Sequence, residues 1–113
     1  MLEPNRCLHA ATLPLHHDAL PADRLAGGPV SVGTTALAEL GGCAIGVWEI
    51  SPGTSTDVEI DEVFVVLSGV ATVRFADGTP ELHLKAGSVG RLARGAATTW
   101  IVAETLRKIY IAA

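Results

Sequence analysis

From Val30 onward the chain has no stretch with a helical period. Short runs rich in Val, Thr and Ile follow one another, each broken by a glycine-containing turn after a few residues. A chain punctuated this often cannot propagate helices of useful length, and it must close its hydrogen bonds between neighbouring strands. Val30–Leu40 and Cys43–Ile50 ("CAIGVWEI") read as strands, the second stopped by Ser51-Pro52-Gly53. Glu62–Leu67 reads as another, broken at Ser68-Gly69, and Val70–Phe75 alternates in polarity. Asp77-Gly78 is the strongest hairpin signal. Leu82–Lys85, Ser88–Leu92, Thr98–Val102 and Leu106–Ala112 complete about eight or nine strands, the number expected of an antiparallel sandwich or barrel. Residues 1–29 carry Pro4, Pro14, Pro21 and Pro29 without steady periodicity, and read as an irregular arm before a single domain over 30–113.

The charges are segregated. Glu39, Glu49, Asp57, Glu59, Asp61 and Glu62 fall in a stretch with no base, whereas Lys85, Arg91, Arg94, Arg107 and Lys108 dominate the end of the chain. Either these segments compensate each other within the fold or across a dimer, or they form two solvated faces. The net charge of -4 argues against a nucleic-acid binder. No apolar run approaches the ~20 residues of a membrane span, and the first residues lack the basic and hydrophobic regions of a secretory signal, so a cytoplasmic protein is expected. Cys7 and Cys43 suggest neither a disulfide framework nor a zinc site, and free thiols fit a reducing compartment. "VFVVL" (Val63–Leu67) is apolar on both faces. A strand of that kind is covered twice, and a second copy is the expected cover, giving a homodimer.

Several short elements recur in an order that carries more information than any one of them. They are "GVWEISPG" (Gly46–Gly53), "DEVFVVLSG" (Asp61–Gly69), "ADG" (Ala76–Gly78), "LKAG" (Leu84–Gly87) and "TWIVAETLRKIY" (Thr99–Tyr110). Together they resemble the cupin superfamily, and more closely its small members related to (S)-ureidoglycine aminohydrolase. The resemblance implies a jelly-roll β-barrel, usually dimeric, with a small-molecule pocket inside.

Metal-using cupins hold a divalent ion with three His and one Glu. Glu62 fits the Glu of the first cupin motif. Counted back from Glu62, the two histidines of that motif fall at Thr56 and Val58, or at Ser55 and Asp57. Counted forward from Gly53, they fall at Glu59 and Asp61. In the second motif Gly87 and Gly95 fit, but Ser88 replaces an Asp, Ala93 a Pro, and Thr98 the third His. A threonine hydroxyl is a poor ligand for Zn, Mn or Fe. Only a hard ion such as Mg or Ca, taking several carboxylates, suits what remains. No metal and no cofactor are therefore expected.

Glu62 is the first candidate for the site, since the resemblance turns its side chain into the barrel. The competing reading is a structural carboxylate paired with Arg91 or Arg107. Thr98 and Trp100 lie two apart on one strand and share a face, so they are expected to shape the same cavity, with Trp48 as a further wall. Asp57, Glu59 and Asp61 read as a solvated acidic loop. His16 and His17 read as surface or dimer-contact residues, and His83 as outward-facing. No phosphate-binding glycine loop, nucleophile elbow or Cys-x-x-Cys is present.

Three functions follow from these residues. The first is a dimeric barrel that binds a small polar metabolite through Glu62, Thr98, Trp100 and Trp48 without a histidine metal centre. The second is an enzyme acting on a ureide or similar amide or amine, with Glu62 as acid or base. The third is a non-catalytic interaction protein whose acidic loop meets a basic partner.

Overall fold

A computed structural model describes all residues, Met1–Ala113. It contains eight strands and no α-helix: β1 (His17–Ala19), β2 (Ser31–Leu40), β3 (Cys43–Ile50), β4 (Gly53–Val58), β5 (Glu62–Phe75), β6 (Leu82–Leu84), β7 (Val89–Leu92) and β8 (Ala97–Ala112). Every pairing is antiparallel. This is the all-β jelly roll expected of a cupin.

Two long strands organise it. The first half of β5 pairs with β7 and with the second half of β8, which in turn carries β3, β2 and β1. The second half of β5 pairs with β6 and with the first half of β8, which carries β4. Strands that pass from one layer to the other must bend, and they do so through irregular pairing. The β5–β8 register shifts three times between Val66 and Ala71. Gly69 sits there with φ +95°, and a Cβ at that position would run into the backbone carbonyl of Thr105. Ser68-Gly69 is thus the fulcrum of one strand rather than a break between two. Thr98–Val102 and Leu106–Ala112 are likewise halves of β8.

Two further details depart from the sequence reading. Gly41 and Gly42, both with positive φ, make the tight β2–β3 turn. At Asp77-Gly78 the β5–β6 pairing begins only at Val73 with Leu82, because Thr79-Pro80 prolongs the loop and Pro80 has no N–H to donate. β4 is a strand that the polar "TSTD" run concealed, paired with β8 from Gly53–Val102 to Val58–Ala97.

Inside the barrel Val30, Ile50, Phe64, Val66, Val73, Leu92, Trp100, Val102 and Leu106 form one core. Outside, the arm is anchored. β1 joins the sheet beside β2, Leu2 N–H donates to Leu37 O, and Arg107 donates to the carbonyls of Ala10 (2.8 Å) and Leu13 (2.6 Å). Arg107 also binds Glu49 (2.8 Å), whose other oxygen lies 2.7 Å from Nε2 of His17. Burial pushes the Glu49 carboxyl up, but hydrogen bonds and charge from Arg107 and His17 outweigh it and hold the group below its ordinary range. The acidic and basic segments therefore compensate within the fold: Glu49–Arg107, Glu62–Lys108 and Asp61–Arg94. No helix is long and apolar enough to cross a membrane.

Candidate functional site

β8 supplies most of the site. Its alternation turns Thr98, Trp100, Leu106, Lys108 and Ala112 into the barrel, whereas Arg107 faces the arm. β3 adds Trp48, in register opposite Lys108, and β4 adds Ser55 opposite Trp100. The chain then crosses the barrel end at residues 59–61. This crossing is fixed by hydrogen bonds: Glu59 N–H donates to Ala96 O, Glu59 O accepts from Gly95 N–H, and Oδ1 of Asp61 accepts from Arg94 N–H. The tie directs the Glu59 side chain inward.

Glu59 is only 8% exposed. Its Oε2 accepts from the Thr98 hydroxyl (2.6 Å) and from the Trp100 indole N–H (3.0 Å). Its Oε1 has no hydrogen-bond partner in the protein, yet it is not sealed off. Glu59 lines a cavity of about 370 Å³ together with Trp48, Ile50, Ser55, Ile60, Trp100 and Tyr110 among others. Glu59 corrects the reading of 57–61 as a solvated loop. The forward count from Gly53 to the first motif position already pointed at residue 59, and the acidic cluster masked it.

Glu62 also faces inward, and its partner is neither Arg91 nor Arg107. Lys108 Nζ lies 3.0 and 2.8 Å from its two oxygens. The side chains are 5% and 9% exposed. The ammonium sits among three rings, 4.5 Å from the centroid of Trp48, 4.8 Å from Phe64 and 5.1 Å from Trp100. Trp48 and Trp100 themselves pack with centroids 5.4 Å apart at 58°. In the sequence, only the alternation with Leu106 and Tyr110 marks Lys108 as inward-facing.

Thr98 and Trp100 point the same way, as their spacing requires, but Thr98 holds Glu59 from behind and does not line the cavity. At the mouth Arg24 binds Asp57 (3.2 Å) and the Thr56 carbonyl (3.0 Å). Burial, and then the nearby charge of Glu59, push the Asp57 carboxyl above its ordinary range, against the pull of Arg24. A second, more open groove of about 670 Å³ lies on the far side of Asp57, along Arg74, Phe75 and Thr99. It holds no buried carboxylate with a free oxygen.

The residues do not suit a cupin metal centre. None of the four histidines lines the cavity. His16 and His83 are exposed beside Asp18 and Glu81, and His17 is bound to Ser31 and Glu49 under the arm. No three His, Cys, Asp or Glu side chains converge on one point.

Comparison with known proteins agrees with this architecture. Residues 37–110 match the EutQ-like cupin domain. None of the curated proteins matches the chain significantly. Among solved structures, a cupin superfamily protein from Desulfitobacterium hafniense is 18% identical, with a TM-score of 0.65, covering 98% of this chain and 93% of that one. The EutQ protein of Clostridium difficile is 19% identical, with a TM-score of 0.62, covering 84% and 79%. A protein of unknown function in the DUF861 family from Pseudomonas syringae pv. tomato is 19% identical, with a TM-score of 0.77. It is covered over 46% of its length by 91% of this chain. At such identities the structural matches speak for the fold alone. By its sequence match and its jelly-roll architecture, the chain belongs to the EutQ-like cupin domain family.

Proposed function

We propose that this domain binds a small polar metabolite in the barrel, without a histidine-held metal and without another cofactor. One observation carries the reading. A buried carboxylate, Glu59, is fixed through one oxygen by Thr98 and Trp100, keeps the other without a partner in the protein, and lines a cavity of about 370 Å³ walled by Trp48 and Trp100. That volume lies in the range of small-ligand sites, which combine apolar walls with a few placed polar groups. Glu62, held by Lys108, then shapes the pocket rather than contacting the ligand first.

A thermal-shift screen of amino acids, ureides and sugars tests the proposal. A ligand at a hundred times its Kd adds about 2.7 kcal/mol, which raises the melting temperature of a domain this size by on the order of 10 °C. No shift across the screen would remove the binding reading and leave the interaction protein. Ureides belong in the screen because the order of elements from "GVWEISPG" to "TWIVAETLRKIY" resembles the ureidoglycine aminohydrolase-type cupins. Ammonia release from a ureide hit, lost in Glu62→Gln, would favour acid/base catalysis instead.

The reading includes a homodimer. Val63 and Ile111, paired across β5 and β8, are each 39% exposed, and Val89 beside Val65 is 68% exposed. This apolar strip on the outer sheet face is what a second copy would cover. Light scattering reads the mass directly, and Val89→Glu is expected to yield monomer.

A further inference from the structure

We propose that the cavity selects a small organic cation, a primary ammonium on a short apolar chain, which donates to the free Oε1 of Glu59. This rests on the binding reading above and adds the charge class of the ligand.

Five charged side chains line the cavity: Asp57, Glu59 and Glu62 against Arg24 and Lys108. Both cations are already engaged, Arg24 by Asp57 and Lys108 by both oxygens of Glu62. Glu59 alone has only neutral donors, on one oxygen. It is also nine-tenths buried. An ionised carboxylate out of water is stabilised far more by a charge-assisted donor than by neutral ones, and no side chain here is placed to supply it. The ligand is the remaining source. Asp57 is consistent with this field, since burial first and then the charge of Glu59 push its carboxyl up.

The walls restrict the class further. Trp48, Ile50, Ile60 and Ala112 give the cavity an apolar side on which a short hydrocarbon chain can lie. A carboxylate ligand would approach Glu59 with the same charge and no free base to meet it, which amounts to discrimination by repulsion. A neutral alcohol can donate to Oε1 but leaves the charge unbalanced.

Three probes of matched shape isolate the charge: n-butylammonium, n-butanol and butyrate. The wild-type chain is titrated with each while the two indole N–H resonances are followed by NMR. The Trp100 indole is the natural reporter, because it donates to the same carboxylate. Butylammonium is expected to move it saturably and to bind at least about ten-fold more tightly than n-butanol, a difference of about 1.4 kcal/mol. Butyrate is expected to leave it in place. Glu59→Gln, which can keep its acceptor for Thr98 and Trp100, is expected to erase the preference without lowering the melting temperature by more than a few degrees. The ranking of probes is read on wild type, so the test survives a variant that fails to fold. Equal affinity for the three probes, or a preference for butanol or butyrate, would overturn the proposal. If sugars or ureides bind while charge makes no difference, only this inference falls; if nothing binds, the reading beneath it falls as well.

Discussion

Lys108→Met removes the ammonium from the barrel and keeps an unbranched apolar stem of similar reach. The carboxylate of Glu62 is then left 9% exposed with no cation, because Arg107 is committed to Glu49 on the other face of β8. Taking one partner from a buried ion pair costs about 3–5 kcal/mol. The ring contacts of the ammonium, worth roughly 0.5–2 kcal/mol, are largely replaced by sulfur–aromatic contacts of Met with Trp48, Phe64 and Trp100 at about 0.3–1.5 kcal/mol. The net loss is therefore about 3–5 kcal/mol, a large share of the ~5–15 kcal/mol that holds a typical domain together. In urea, at an m-value of about 1.5 kcal/mol per M, the unfolding midpoint falls by roughly 2–3 M. Adding Glu62→Leu removes the orphaned charge, and the double variant is expected to recover most of the loss. The reasoning is refuted if Lys108→Met costs less than about 1 kcal/mol, or if the double variant is no more stable than the single one.

The other predictions concern titration and backbone. Glu59→Gln should lower the Asp57 pKa measured by NMR without returning it to the ordinary value, since burial, the larger cause, remains; an unchanged Asp57 would contradict the shared field. The folded pKa of Asp57 is raised, so its stabilising contribution is present below the ordinary value and disappears as pH rises through the folded one. Asp57→Asn should accordingly gain on wild type in urea melts run at increasing pH across that interval. Glu49 has the opposite sign. Its contribution is present above the ordinary glutamate value of 4.5 and is lost as pH falls through the lower folded value, so the protection of the Thr12 amide, relative to its intrinsic exchange rate, should fall only below that pH. In Glu49→Gln this acid step should be absent. Gly69→Ala should cost at least about 1–3 kcal/mol in urea melts, from positive φ and from contact with the Thr105 backbone, and a neutral result would mean the strand does not bend there.

The strands were legible because alternation and glycine turns are local signals. Their joining was not. Ser68-Gly69 reads as a stop, and only the approach of Thr105 from a distant strand makes it a bend. β4 was hidden for a related reason: its Thr, Ser and Asp side chains look like loop, and its strand character comes from pairing with β8. At the site, the shared face of Thr98 and Trp100 followed from periodicity and the inward turn of Glu62 from the resemblance, but Thr98 backs Glu59 instead of lining the cavity with Trp48 and Trp100. The partners did not follow, since Lys108 lies 46 residues from Glu62 in sequence. Glu59 reads as solvated because it stands in a cluster of acids, whereas its side-chain direction is set by backbone hydrogen bonds to Gly95 and Ala96, which are distant in sequence. His17, which reads in the sequence as a surface or dimer-contact residue, is placed by the folded arm between Ser31 and Glu49.

The most direct test is a crystal structure of the domain with the compound that raises its melting temperature most. The ligand is expected between Trp48 and Ile60, with a donor on Oε1 of Glu59 and the Lys108–Glu62 pair undisturbed. Density for it in the open groove beside Arg74 and Phe75, or Glu59 turned out toward solvent, would contradict the account.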